Sequence, residues 1–266
     1  MMRADAAQAG LQLGYPWRVF WVLLGAGVLA ALGALPYVLA LFGDKLVAAG
    51  GRPIRLPLLI VMQSLHTTLV LGILIGLGLL LARKVGVDTP ILNAWLYGIE
   101  AERRRVPLVL ATAAGVGLGL LSAGVLYAYM APQVPQWPSE AGIPIWMRVL
   151  ISIYSGIDEE LATRLFLLSL VLWILQKIRR RSERPSATVF WIGNTIVAVL
   201  FAAAYLPTAS YLLPMTQVVV SSILALKAVS GLVFGYLCWS RGLETAMLAH
   251  FVTDLVMHLV GPLLEP

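Results

Sequence analysis

The sequence predicts an all-α, multi-pass membrane protein with about seven spanning helices in one domain, residues 1–266. Three observations carry that prediction. Of 266 residues, 60% are hydrophobic and only 12% are charged, where an ordinary soluble domain carries about 25%. The mean hydropathy is +0.88. Seven apolar runs, 19–41, 56–82, 106–131, 145–175, 189–206, 213–239 and 243–263, are long enough to cross about 30 Å of hydrocarbon.

The first run follows a polar start and Arg18 and exceeds a signal-peptide core, so it reads as an uncleaved anchor. In the second, Gly72 and Gly76 form a small-xxx-small pair that permits close helix approach, and His66, beside Gln63 and Thr67, reads as a helix-contact residue. Residues 87–102 place Ile91, Leu92, Trp95, Leu96 and Ile99 at helical spacing before Arg103 to Arg105. That pattern fits either an interfacial helix on the membrane surface or a short amphipathic connector. Pro132, Pro135 and Pro138 around Trp137 mark an irregular loop between the front helices, 1–131, expected to be peripheral, and a chemically richer back half. The fourth run is too long for a straight crossing and is expected to tilt or break, with Gly156 as its weak point. On the sixth, Gly231 and Gly235 repeat the small-xxx-small spacing.

Charge sets the expected orientation. Outside the runs or at their ends, Arg3, Arg18, Arg83, Lys84, Arg103, Arg104, Arg105, Lys177, Arg179, Arg180, Arg181, Arg184 and Arg241 fall on the side of the N-terminus. Only Lys45, Arg52, Arg55 and Arg148 fall on the other. Positive residues gather on the cytoplasmic side, so the N-terminus is expected there. The formal charge of +6 therefore reports topology first, and no nucleic-acid partner is expected. The single cysteine, Cys238, allows no internal disulfide, and three histidines offer little for a metal cage.

Against this background, ionisable groups inside the runs stand out, because each costs roughly 2.5 to 3.5 kcal/mol in hydrocarbon. Ser152, Ser155, Glu159 and Thr163 draw a polar stripe along the fourth helix. Glu160 and Arg164 stand four apart, so the arginine can neutralise that carboxylate. Glu159 is then the acid without a cation on its own helix, and a candidate general base. His250 and Asp254 share one face of the last run; they can bond across to another helix, stabilise an oxyanion, or satisfy each other within the helix. His258, one turn further, reads as an interfacial residue. Asn194, Phe201 and Tyr205 lie close to one face of the fifth run, where packing is the usual task of a buried phenol. Lys227 either snorkels or balances Asp158 or Asp254.

Three of these groups together resemble a known pattern. Glu159-Glu160-Leu-Ala-Thr-Arg164 reads as EExxxR, Phe201 to Tyr205 occupies the place of FxxxH, and His250 to Asp254 reads as HxxxN/D. In this order, each on its own late run, they resemble the CPBP family of intramembrane endopeptidases, which includes prenyl-protein CaaX proteases and bacteriocin-immunity homologues. The stretch from Gly231 through Gly235 and Arg241-Gly242 to His250 is also typical of that family. The likeness covers 144–262 as a CPBP-like core.

The resemblance implies a catalytic cavity among the last four helices, in which Glu159 activates water without a metal or other cofactor. Glu160 and Arg164 would support its geometry, and His250 and Asp254 would stabilise the oxyanion. The chain departs at Tyr205, where the family has a histidine; tyrosine can still donate or accept a hydrogen bond and orient water. The implied substrate is a membrane-embedded or membrane-anchored peptide or protein, and the implied location the bacterial inner membrane. Two other classes compete. One is a non-catalytic scaffold or immunity protein that keeps the bundle and has lost turnover through Tyr205. The other is a proton-coupled transporter, for which no internal repeat is found.

Overall fold

The computed structural model describes residues 15–50, 55–98, 108–135, 137–180 and 184–265. They form eight helices: α1 (Trp17–Gly50), α2 (Leu56–Val85), α3 (Pro90–Tyr97), α4 (Leu108–Gln133), α5 (Ile145–Ile178), α6 (Ala187–Ser210), α7 (Gln217–Arg241) and α8 (Leu243–Leu263). All except the eight-residue α3 are long and apolar enough to cross a membrane. The seven expected spans are therefore present, and the protein is an integral membrane protein of a single helical class.

The long α5 does not break; it widens. Ser155–Glu159 and Leu161–Leu168 wind as π-helix, with ordinary α-helix before and after. A π turn holds an extra residue and re-aims the side chains it carries, and such bulges gather at functional sites. Gly156, the expected weak point, lies at this change and serves close packing. A Cβ there would stand 2.8 Å from Phe251 Cβ and 2.9 Å from the Met247 carbonyl on α8. Gly115 and Gly119 bring α4 equally close to α8, and Gly235 brings α7 against Asn194 on α6. Leu161, Leu165, Leu168 and Leu172 of α5 join Ile75, Phe190, Phe234 and Leu243 in the main core.

A single residue, Gly242, joins α7 to α8 with φ 103°, a left-handed value that suits glycine. The turn is fastened by Leu243 N–H to the Asp88 carbonyl at 2.9 Å. Glu244 Oε1 then accepts from the N–H groups of Ile91 and Leu92, at 3.1 and 3.0 Å, tying α3 to the start of α8. The expected amphipathic segment is thus shorter, Pro90–Tyr97, with Trp95 and Ile91 exposed; the calls on Ile99 and on Arg103 to Arg105 lie outside the described residues.

Two sequence expectations are corrected. His66 is exposed on α2 and is no helix contact; its neighbours Gln63 and Thr67 bond each other at 3.1 Å. Gly72 faces open space, and only the other half of its small-xxx-small pair, Gly76, meets a neighbour, Phe20 of α1 at 3.8 Å. Arg148, at the start of α5, is buried and donates to the carbonyls of Glu140 and His258.

Candidate active site

Glu160, fully buried on α5, organises the site. Arg164 Nη1 lies 3.0 Å from its Oε1, the pairing that the four-residue spacing predicts. Arg164 is itself held by Thr163 Oγ1 at 2.5 Å and by the Gly231 carbonyl at 3.0 Å. Its guanidinium also stands over the rings of Phe201 and Phe234, at 5.5 and 5.6 Å. A buried charge pair is stable only when its remaining donors and acceptors are occupied, and here most of the arginine's are.

From α8, His250 reaches the same carboxylate. Its Nδ1–H donates to Glu160 Oε1 at 2.8 Å, and Phe234 stacks on the ring with centroids 4.6 Å apart. With Nδ1 fixed, Nε2 is the nitrogen turned toward the remaining acids. Glu159 Oε2 lies 3.7 Å from it and Asp254 Oδ1 3.8 Å. These separations are too long for direct hydrogen bonds. Asp254 also accepts from Ser155 at the start of the π segment. Glu159 keeps 16% exposure, and its buried Oε2 makes no hydrogen bond among the described residues.

Glu159, Tyr205, His250 and Asp254 line one cavity of about 650 Å³. Glu160 and Arg164 lie behind its wall. The four lining residues come from three helices, α5, α6 and α8. Front helices also wall it, with Tyr37 of α1 and Tyr127 of α4. Lys227 of α7 lines it too, with Nζ 3.7 Å from the centre of the Tyr205 ring. It faces Glu159 and Asp254 across the cavity rather than snorkelling, and no interaction with Asp158 is found among the described residues.

A second polar cluster, barely legible in the sequence, lines the same cavity. His258, expected at the interface, is buried, and its Nδ1 donates to Glu140 Oε2 at 2.8 Å. Tyr37 donates to Glu140 Oε1 at 2.7 Å, and Tyr127 adds a further bond. Burial by itself would raise the Glu140 carboxyl, but the bonds from His258, Tyr37 and Tyr127 outweigh it and hold the group below its ordinary value. The only sequence signal was the placement of Glu140 after a proline-rich loop, with His258 one turn beyond Asp254.

Among the described residues, no three His, Cys, Asp or Glu side chains form a set that could hold a metal ion. Residues 141–256 match the family model described as Type II CAAX prenyl endopeptidase Rce1-like. That segment contains every candidate site residue from Glu159 to Asp254. No curated protein and no solved structure matches the chain significantly.

Proposed function

Starting from a chain whose residues 141–256 belong to the CPBP family of membrane endopeptidases, we propose that it hydrolyses a peptide bond with water activated by Glu159. The function is of the CAAX-type intramembrane protease kind, and its setting is a lipid bilayer with a peptide substrate. The finer reading rests on one observation: Glu159 and Asp254 flank His250 Nε2 at 3.7 and 3.8 Å on a cavity of about 650 Å³.

In this reading a water sits between Glu159 and His250. Glu159 takes one of its protons as the oxygen bonds to the scissile carbonyl carbon, and the carbonyl π electrons move to oxygen. The Nε2–H of His250 meets that oxyanion in a site from which bulk water is excluded, where one well-placed donor is worth about 10²- to 10³-fold in rate. Glu160 orients the ring through Nδ1, and Asp254 supports its charge from the Nε2 side. Collapse of the intermediate breaks the C–N bond, and the proton on Glu159 passes to the leaving amine. Tyr205 bounds the cavity on the side of α6. No step is assigned to a metal or cofactor.

The substrate is read as membrane-anchored or membrane-embedded, the location as the bacterial inner membrane, and the N-terminus as cytoplasmic by charge distribution. The test is direct. Purified protein in liposomes is expected to cleave a membrane-anchored peptide, and Glu159→Gln to lose on the order of 10²- to 10⁴-fold in kcat, the usual contribution of a general base. Equal rates for the two proteins would remove Glu159 from the mechanism.

A further inference from the structure

Gly78 lets α2 pack directly on α5: a Cβ there would stand 2.9 Å from Leu165 Cγ and 3.1 Å from the Leu165 carbonyl oxygen. From this contact the two helices continue side by side, and their ends meet at Trp173. Lys84 of α2 places Nζ 5.8 Å from the centre of the Trp173 ring, and Lys177 of α5 places its own Nζ 5.8 Å from the same centre. The two ammoniums therefore lie no farther apart than twice that distance. Between the helices Leu79, Ala82, Leu168 and Leu172 are buried in the main core, whereas Leu80, Ile174 and Ile178 are exposed. Leu80 stands one turn before Lys84, and Ile174 one turn before Lys177, so each lysine shares a helical face with an outward apolar side chain.

Both lysines are exposed, and neither forms an ion pair among the described residues. The described acids at this end of the bundle are engaged elsewhere. Asp88 Oδ1 accepts from the Thr89 N–H and the Asn93 amide, each at 2.8 Å, and Glu244 accepts from Ile91 and Leu92. Arg184 adds a third cation to the place, since a Cβ on Gly86, two residues past Lys84, would stand 3.0 Å from its Nε. Arg18, by contrast, is occupied by the Leu96 carbonyl at 3.0 Å and by the Tyr97 ring. A charge bias between two membrane faces needs cations only somewhere near the span ends. It does not need two of them drawn from separate helices onto one indole.

We propose that this seam between α2 and α5 binds an anionic phospholipid: Lys84 and Lys177 hold the headgroup phosphate beside Trp173, and an acyl chain lies along Leu80, Ile174 and Ile178. The cationic pair and the exposed apolar surface are continuous, so a single molecule carrying both phosphate and hydrocarbon covers both. Basic pockets between spanning helices take anionic headgroups, and a half-buried tryptophan suits the membrane interface. The inference is independent of the hydrolytic reading and of Glu159.

The experiment uses the full chain in phosphatidylcholine nanodiscs doped with phosphatidylglycerol whose acyl chains carry bromine, a short-range quencher of indole fluorescence. The Trp173 signal is the difference between each protein and its Trp173→Phe counterpart. Wild type is expected to take up brominated phosphatidylglycerol at Trp173 about twentyfold more tightly than brominated phosphatidylcholine, roughly fivefold for each ammonium. Lys84→Gln and Lys177→Gln are each expected to lose about fivefold, and together to leave the two lipids alike. Arg179→Gln with Arg241→Gln removes the same charge from exposed side chains at the same end and is expected to keep most of the preference.

Equal losses in the two double variants would show only the general field of a basic membrane face and would overturn the site. So would equal quenching of wild type by the two brominated lipids, or single lysine variants that quench as wild type does. Inorganic phosphate, added at constant ionic strength, is expected to leave the quenching in place; displacement by it would make the seam a site for a free anion and overturn the lipid. Where the double lysine variant does not fold, the single variants carry the comparison.

Discussion

Arg164 shows what a single residue does here. It binds Glu160, Thr163 and the Gly231 carbonyl, and it lies over two phenylalanine rings. Arg164→Met is expected to leave Glu160 buried without its cation and to destabilise the protein by about 3 to 5 kcal/mol, measured by unfolding in detergent. Adding Glu160→Gln should recover part of that loss, because the stranded charge is gone. The Glu160–Arg164 pair was legible in the sequence, since helical periodicity alone brings residues four apart together. The bond from His250 to Glu160 was not, because it joins residues ninety apart on different helices.

At the scale of the element, α5 is the piece whose length the sequence announced and whose winding it did not. Its 34 residues exceed a straight crossing, but tilt, break and π-widening all absorb excess length, and hydropathy does not distinguish them. Gly156 was legible as a special position, for reasons of packing rather than breakage. Gly156→Val is expected to push α5 from α8, costing about 1 to 3 kcal/mol as overpacking does and lowering cleavage as His250 withdraws from Glu160. Thermal unfolding and kcat check the two effects separately. Gly72→Ala provides the contrast: it faces open space, and exchanging glycine for alanine inside a helix should leave stability unchanged or raised by up to about 1 kcal/mol. Glycine pairs thus marked real contacts on α7 and none at Gly72 of α2, because spacing does not reveal which face of a helix meets protein.

Across the whole molecule, seven apolar runs gave the seven spans, since burial in hydrocarbon imposes a length and composition that any sequence must display. The cluster around Glu140 lay beyond that reach. It joins Tyr37, Glu140 and His258 over more than a hundred residues, and no periodicity links a loop to two helices. It also has a pH signature. The native Glu140 carboxyl lies below its ordinary value of 4.5, so its contribution to stability is complete above that value and is lost as pH falls through the lower, native one. Thermal unfolding from pH 7 to pH 3 should show this decline, and Glu140→Gln should flatten it. The Gly242 joint has a further consequence. Two rods hinged at one peptide cannot slide past each other; they can only open like scissors. The pivot lies at the Arg241 and Leu243 ends, where Glu244 clasps α3. Any gape between α7 and α8 is therefore widest at the opposite tips, near Gln217 and Leu263, on the side of α8 where His258 pairs with Glu140.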